Sequence, residues 1–513
     1  MRQARRQSPP RRGAAAPRPL LLAGVLVAGV ALLPVGYLVL RTASAGPASI
    51  AQILARPATA ALVGRSLVLA LGVSILSVLL GVALAYLVVR TDLPGRRVLG
   101  VLAPLPLAIP SYVAAFAWVS TAPGFTGLPA ATVVLSLCCY PYVYLPVAAA
   151  LTRLDPAAEE VARCLGRSRW GAFRQVTARQ LAPSVAGGAL LVALYALSDF
   201  GAVSLLRFDA FTRVIHTSYQ ASFDRTPAAV LGLLLVGLTV LITLGEARFR
   251  TRGVARLGAG LARAAEPLPL RRSRVPALTA ALALLSAALV FPLGSLGYWA
   301  ATGLSAGVDW PRLVAAGGNT VVLAGWGALV ATLAALPVGL LAARHRSRWS
   351  DLLEQATWAG HALPGLVVGL ALVFFGVRVV PWAYQREPLL VLAYLVLFLP
   401  AAVSAVRAAV ELAPVRAEEV ARTLGCGPFA AFRRTTLPVA APGIGAGAAL
   451  VLLTAMKELP ATLLLRPTGT DTLATALWTE TGVAAYAAAA PYGLTLVLLA
   501  VLPTAALMWG QRR

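Results

Sequence analysis

The 513-residue chain is 59% hydrophobic, carries charged side chains at only 12% of its positions and has a mean hydropathy of +0.80. A soluble core cannot bury this much apolar surface, so composition excludes a soluble globular protein and predicts a membrane protein. A net charge of +25 is typical of nucleic-acid-binding domains. Here, however, the arginines lie between long apolar segments, which excludes a basic nucleic-acid-binding face and indicates membrane topology signals.

Long apolar segments follow one another along the whole chain. A helix needs about 20 apolar residues to cross about 30 Å of hydrocarbon, and a window of that length gives about twelve transmembrane helices. Their centres lie near Val30, Leu76, Ile109, Leu137, Leu194, Leu235, Leu285, Leu329, Leu370, Leu395, Leu453 and Leu499. Prolines interrupt the third, fourth, ninth and tenth, which predicts kinks whose freed carbonyls are satisfied inside a bundle. We therefore predict an all-α polytopic membrane protein.

The arginines orient this predicted bundle. With residues 1–19 as a cytoplasmic basic tail and the first span as a retained anchor, alternate connections fall inside and outside. Thirty-three of the 43 arginines then lie in inside segments and 10 in outside segments. This excess follows the positive-inside rule, so we expect both termini to be cytoplasmic.

An internal repeat divides the chain. EEVARCLGRSRWGAFRQ begins at Glu159 and EEVARTLGCGPFAAFRR begins at Glu418, 259 positions later. SDFGAVSLLR (198–207) matches KELPATLLLR (457–466) at the same offset. We therefore predict two six-span halves, 20–245 and 276–513, joined by an arginine-rich cytoplasmic linker, 246–275.

The repeated loops, 155–183 and 414–442, each have the sequence pattern of a short helix, a turn and a second short segment. Acidic residues open a helix where the helix dipole favours them, and Gly166 or Gly425 breaks it for a turn. A second short segment carries Trp170 and Phe173, or two phenylalanines in the second loop. Such an amphipathic helix can dock in a groove on a soluble partner or lie on the lipid surface. Two copies with one spacing favour a paired partner.

The loops also resemble a known family. Importer-type ABC transporter permeases share the pattern E-x-A-x-x-x-G followed by a distant Leu-Pro. The matching residues are Glu160, Ala162 and Gly166 in the first loop and Glu419, Ala421, Gly425, Leu437 and Pro438 in the second. In the first loop Ala178 and Arg179 replace the Leu-Pro. With the preceding Glu159 and Glu418, these residues form the predicted ATPase-coupling set.

Longer stretches make the resemblance more specific. SDFGAVSLLR, MKELPATLLLRPTGTDTLATALW (456–478) and AAAAPYGLTLVLLAVLP (487–503) are similar to the fused two-domain permeases of bacterial ferric-iron ABC importers. Thiamine, phosphonate and polyamine permeases share that architecture. The resemblance implies the type I importer permease fold, an inner-membrane location, an extracytoplasmic solute-binding protein and two copies of a separate ATPase.

A single lysine limits what the chain does by itself. A P-loop needs a lysine after its last glycine, and Lys457 stands instead in Met-Lys-Glu on a predicted span. We therefore expect the chain to bind no cofactor, to be a transport subunit without an ATP-binding site, and to depend on ATP used by its partner subunit.

Ionisable residues inside predicted spans are candidates for the translocation pathway, because a charge exposed to lipid costs at least about 2.5 kcal/mol. Asp199 and Glu458 occupy equivalent positions, and each precedes an arginine by eight residues, Arg207 and Arg466. On a continuous helix each pair shares a face about 12 Å apart. Asp199, Lys457 and Glu458 either line an outer gate, or Lys457 snorkels or pairs with a carboxylate to fix packing.

Two further classes of function find little support. His216, His345 and His361 are scattered and form no ligand cluster, and the four cysteines show no pairing pattern, so no metal site or disulfide is assigned. A proton-coupled secondary transporter can also have twelve spans in two halves, but it needs a titratable relay and has no need of two matched loops.

Overall fold

The fold comes from a computed structural model that describes residues 17–221, 225–250, 267–358, 360 and 363–510. Most of the predicted tail, the centre of the predicted linker and His361 lie outside these residues. Within the described ranges the helices are joined by turns and short loops, and one isolated backbone bridge pairs Thr91 with Leu268.

The helices of the first sequence half are numbered α1 to α12 in chain order. They are α1 Arg18–Ala43, α2 Pro47–Leu54, α3 Pro57–Arg90, α4 Arg96–Leu102, α5 Ser111–Thr121, α6 Gly127–Arg153, α7 Ala157–Cys164, α8 Arg169–Ala172, α9 Ala178–Ser198, α10 Gly201–Leu205, α11 Phe211–Ala221 and α12 Thr226–Arg250. A 3-10 turn, Leu105–Ala108, precedes α5, and a π-helical turn, Phe173–Thr177, leads into α9.

The second half continues with α13 to α24. They are α13 Arg274–Leu285, α14 Phe291–Ala306, α15 Trp310–Arg344, α16 Arg348–Trp358, α17 Gly365–Arg378, α18 Glu387–Leu412, α19 Val415–Thr423, α20 Pro428–Ala431, α21 Leu437–Met456, α22 Pro460–Leu465, α23 Leu473–Gly482 and α24 Tyr486–Gly510. π-Helical turns also occur at Ser286–Val290 and Phe432–Thr436, and 3-10 turns at Arg271–Ser273 and Pro381–Ala383.

The predicted spans coincide with these helices. Nine helices of the described part are long and apolar enough to cross a membrane. The third predicted span is a bent pair, Arg96–Ala108 and Ser111–Thr121, that turns by 90°, and the ninth and twelfth are the shorter apolar helices Gly365–Arg378 and Tyr486–Ala500. The interruption predicted for the third span is therefore real, whereas the fourth and tenth are single helices, α6 and α18, that contain their prolines.

By contacts the chain forms two compact units, which do not coincide with the sequence halves. The first unit comprises Thr42–Val308 and Leu477–Val497, and the second comprises Met1–Arg41, Asp309–Ala476 and Leu498–Arg513. In the second unit the ring of Tyr37, from α1, lies 5.9 Å from that of Phe375. In the first unit Phe291, from α14, lies 4.7 Å from Trp118. The second unit thus includes α1 from the first half of the sequence, and the first unit includes α13, α14 and residues 477–497 from the second half.

Both units are built on the same three-helix arrangement. In the first unit α3, α6 and α9 pack together, and in the second α15, α18 and α21 do the same. Small residues allow the close approach: a Cβ on Gly188 would lie 2.8 Å from the carbonyl oxygen of Tyr142, and one on Gly447 would lie 2.3 Å from the Cβ of Ala405. Such contacts are typical of helices that pack by shape rather than by hydrophobic force in a membrane.

Candidate functional site

The two repeated loops have the same local structure, and their glycines end the first helix of each. Gly166 has a φ of 84° and Gly425 a φ of 87°, a conformation that favours glycine. The amide of Gly166 donates to the carbonyl of Arg163, and the next amide donates to that of Ala162 at 3.1 Å. The corresponding bonds in the second loop end on Arg422 and Ala421. This pair of bonds is the Schellman motif, so the pattern E-x-A-x-x-x-G encodes a helix stop.

The first glutamate of each loop points into the protein. Glu159 accepts a hydrogen bond from the Thr177 hydroxyl at 3.0 Å, and Glu418 accepts one from Thr436 at 3.0 Å. Both threonines are buried and end the π-helical turns that lead into α9 and α21. Each carboxylate therefore ties its loop helix to the span that follows. Neither threonine is among the residues predicted from the sequence, although both stand 18 positions after their glutamates.

An arginine at the end of α3 adds an ion pair to the first loop only. Arg90 lies 2.9 Å from Glu159, and the two side chains are 7% and 14% exposed. Its repeat equivalent, Arg344, donates to the carbonyl of Ala413 at 2.9 Å. The first loop is therefore held by a charge pair and a hydroxyl, while Arg344 holds the backbone just before the second loop.

The outer surface of each loop helix is available to a partner. Glu160 and Glu419 are exposed, in contrast to the glutamates that precede them. Beside them lie exposed apolar side chains at equivalent positions. These are Val161 (58% exposed), Leu165 (78%), Val420 (57%) and Leu424 (79%). An apolar ridge flanked by a carboxylate is suited to a groove on a soluble protein.

The second segment of the first loop anchors it to the bundle. In the first loop Trp170 stacks on Phe173 at 5.4 Å, and Phe173 packs edge-on against Tyr86 of α3 at 5.3 Å. The π-helical turn is present in both loops, so it does not require Leu437 and Pro438. Their first-loop equivalents, Ala178 and Arg179, begin α9 just as the Leu-Pro begins α21.

The candidate pathway acids lie where two spans break. Asp199 follows α9, and its Oδ1 accepts the backbone amides of Ala202 at 3.0 Å and Val203 at 3.2 Å. Its other oxygen accepts a hydrogen bond from Ser111, the first residue of α5. The carboxylate is buried and caps the short helix α10.

Glu458 caps the equivalent short helix, α22, in the second unit. Its Oε1 accepts the amide of Ala461 at 2.9 Å, and its Oε2 accepts the amide and hydroxyl of Thr462 at 2.9 and 2.7 Å. A Cβ on Gly365, the equivalent of Ser111, would lie 2.7 Å from Oε1. Thr462 also shares a 2.8 Å hydrogen bond with Tyr394. Both acids are therefore caps that fix a helix break.

The expectation of one continuous helix through each acid and its arginine is wrong. α9 ends at Ser198 and α21 at Met456, so spacing by helical face does not apply beyond them. Arg466 contacts Asp471, which also lies 3.2 Å from Arg312. Arg207 is exposed and has a φ of 55°. Lys457, at the end of α21, is half-buried.

The remaining titratable groups form no metal site in the described part of the chain, where no group of three or more His, Cys, Asp or Glu is placed to hold an ion. His216 of α11 packs against Phe200 at 4.7 Å, and burial lowers the pKa of its imidazole from 6.5. His345 ends α15, and Cys138 and Cys139 are buried as free thiols in α6.

The fold and the paired loops together define a multi-pass helical membrane permease. The model of the binding-protein-dependent transport system inner membrane component family matches residues 77–252 and again residues 335–513. The chain belongs to this family, whose members are transport subunits, and it carries the family's domain twice.

Individual relatives agree with this double arrangement. The Fe(3+)-transport system permease protein FbpB 2 of Haemophilus influenzae is 35% identical over 93% of this chain and 96% of its own length. The sulfate transport system permease protein CysT of Escherichia coli is 27% identical over 44% of this chain and 90% of its own. The molybdate/tungstate permease protein WtpB of Thermococcus kodakarensis is 27% identical over 34% of this chain and 72% of its own. The last two relatives therefore match a stretch of about half-chain length or less.

Proposed function

We propose that this protein is the permease of an ATP-driven importer for ferric iron delivered by an extracytoplasmic solute-binding protein. The observation that supports ferric iron as the substrate is the 35% identity to a ferric-iron permease across nearly the full length of both chains. The sulfate and molybdate relatives match less of the chain and at lower identity, which makes those anions the second candidates.

ATP is used by a partner in this proposal. Two copies of a separate ATPase dock on the two loops, with the apolar ridge of each loop helix in a groove and Glu160 or Glu419 at its edge. The matched geometry of the loops supports a paired partner, because one docking surface repeated twice fits two equivalent grooves. Dimerisation of the ATPases on ATP draws the loops together and converts the cavity from inward-facing to outward-facing.

We propose a membrane topology from the side on which the loops lie. In this proposal the loops lie on the cytoplasmic side, which makes both termini cytoplasmic and places most arginines inside, as the positive-inside rule requires. In this proposal the chain itself binds neither ATP nor a resident cofactor, because Lys457, its only lysine, follows Met456 at the end of α21 and not the last glycine of a phosphate-binding loop.

We propose that Asp199 and Glu458 shape the pathway by fixing the breaks after α9 and α21, because their oxygens already accept backbone and hydroxyl hydrogen bonds. Lys457 directly precedes Glu458 at the second break and Arg207 is exposed just after α10, so both can supply positive charge near the breaks, whereas Arg466 is paired with Asp471. Such charge suits an iron complex that arrives with anionic ligands.

The test is uptake of radiolabelled ferric iron by cells that lack this chain and carry either the intact protein or its Glu160→Gln, Glu419→Gln double variant. We expect uptake only with the intact protein, at equal membrane levels of both. A matched control, Arg97→Gln, changes an exposed charge outside the loops and should transport normally.

The two parts of the proposal fail separately. If cells take up iron equally well with and without the chain, the assignment of iron as the substrate is wrong. Sulfate, molybdate, thiamine and phosphonate are then tested in the same strains. If iron uptake requires the chain but the double variant transports and stimulates the ATPase normally, the docking assignment of these glutamates is wrong.

A further inference from the structure

An apolar groove lies in the first unit, away from the loops and the helix breaks. Its volume is about 370 Å³, roughly twelve times the 30 Å³ that one water occupies in the liquid. The end of α1, α2, the start of α3 and the middle of α12 line it, with Ile50, Val63, Leu234 and Gly237 among the lining residues. The groove lies between these helices, and its apolar lining offers too few hydrogen-bond partners to hold ordered water.

One polar side chain lines this groove. Thr42 is 4% exposed, and its hydroxyl has no hydrogen-bond partner among the described residues. A hydroxyl in an apolar site without an acceptor is unfavourable, so the groove is incomplete without a molecule that offers one.

The position of Thr42 indicates where that acceptor lies. Thr42 is the penultimate residue of α1, a helix long and apolar enough to cross a membrane, and the eight-residue α2 follows after a short turn. The end of a span is the level at which hydrocarbon meets the polar part of a bilayer. Arg56, just before α3, is exposed and stands two residues after Leu54, which lines the groove.

The groove opens toward the surface of the bundle. Leu54 is 43% exposed and Leu241, further along α12, is 67% exposed. Leu241 belongs to a helix long and apolar enough to cross a membrane, where the surrounding solvent is hydrocarbon chains.

We propose that this groove is a lipid site that holds one acyl chain of a glycerophospholipid. The acyl chain of the lipid runs along α12 past Gly237. The ester carbonyl of the lipid accepts a hydrogen bond from Thr42, and its phosphate lies by Arg56. A phospholipid satisfies all three features at once: an apolar chain, an acceptor at the hydrocarbon boundary and an anion just beyond it. The site is independent of the transported substrate.

The experiment uses the full chain in vesicles of phosphatidylethanolamine and phosphatidylglycerol that contain phosphatidylethanolamine with a photoactivatable diazirine in one acyl chain. After illumination, labelled peptides are mapped by mass spectrometry. We expect label concentrated on 50–63 and 230–241.

Gly237→Leu fills the groove, since a Cβ at this position meets no atom within 4 Å, and it should lower labelling there to the level of the remaining lipid-facing surface. Gly245→Leu, on the same helix but away from the groove and equally unobstructed, is the matched control and should label normally. Thr42→Val keeps the shape but removes the hydroxyl, and should lower labelling about threefold, in line with single hydrogen bonds in membranes.

Equal labelling of the protein and its Gly237→Leu variant overturns the proposal. So does label spread evenly over all spans, or no label in the groove because another protein segment occupies it. If Gly237→Leu does not fold, the distribution of label in the unmodified chain and the effect of Thr42→Val decide between these outcomes.

Discussion

The guanidinium of Arg90 lies 2.9 Å from the carboxylate of Glu159, and the pair joins the end of α3 to the first loop helix. The same carboxylate holds Thr177 at the start of the next span. One side chain thus connects two spans to a loop whose next residue, Glu160, faces outward. We therefore expect the loop helix to move together with the bundle rather than independently of it.

Loss of this inner glutamate should destabilise the protein. Glu159→Gln leaves Arg90 buried beside a neutral group, and breaking a buried pair costs about 3–5 kcal/mol. Glu160→Gln changes an exposed side chain and should cost less than about 0.5 kcal/mol. Thermal unfolding of the two purified variants measures the contrast, and hydrogen exchange in residues 157–164 should rise only for Glu159→Gln.

A double variant separates charge from shape in this pair. Arg90→Met with Glu159→Leu removes both charges and should recover most of the stability lost by Glu159→Gln, since no unpaired charge remains buried. A double variant as unstable as the sum of its single changes would show that the ion pair does not couple these residues.

Two adjacent glycines on α9 should respond oppositely to alanine. A Cβ on Gly188 would lie 2.8 Å from backbone atoms of Tyr142 and Val143, while one on Gly187 meets nothing within 4 Å. Gly188→Ala should cost about 1–3 kcal/mol through overpacking. Gly187→Ala should be neutral or gain about 0.5–1 kcal/mol of helix propensity. Midpoints of thermal unfolding in detergent test the pair, and equal midpoints would contradict the close approach of α6 and α9.

The cap on α10 should be important for stability. Asp199→Ala removes the acceptor of two backbone amides and of Ser111, so a loss of about 2 kcal/mol is expected, at the upper end for a helix cap. Asp209→Ala is the control, because Asp209 is half-exposed and pairs with Arg213 at the surface, where such pairs contribute about 0–1 kcal/mol. Thermal unfolding of both variants decides the matter, and a control as damaging as Asp199→Ala would argue against a special role for the cap.

His216 should make stability depend on pH. Burial lowers the pKa of its imidazole below the ordinary 6.5, so the folded state favours the neutral ring. As pH falls through 6.5 the unfolded chain binds a proton that the folded chain does not, and stability present above this pH is lost. Unfolding midpoints of the protein and of His216→Gln across that pH range test this, with a flatter dependence expected for the variant.

The sequence by itself determined the membrane class, the centres of the spans and the repeated loops. Hydropathy is a local quantity, and each of the twelve windows, such as the one near Leu137, falls on a helix, a broken helix or a short apolar helix. The end of each loop helix could also be predicted from the sequence. Gly166 and Gly425 end these helices through backbone hydrogen bonds that span no more than five residues.

The tertiary structure alone decided which glutamate of each pair faces inward, that α9 and α21 end before the two acids, and which unit takes α1 or α14. These outcomes depend on contacts between distant residues, such as Ser111 with Asp199 or Arg90 with Glu159. Window hydropathy does not distinguish a helix that continues through Asp199 from one that ends there. The partner that makes the break favourable comes from another helix, 88 residues away in the chain.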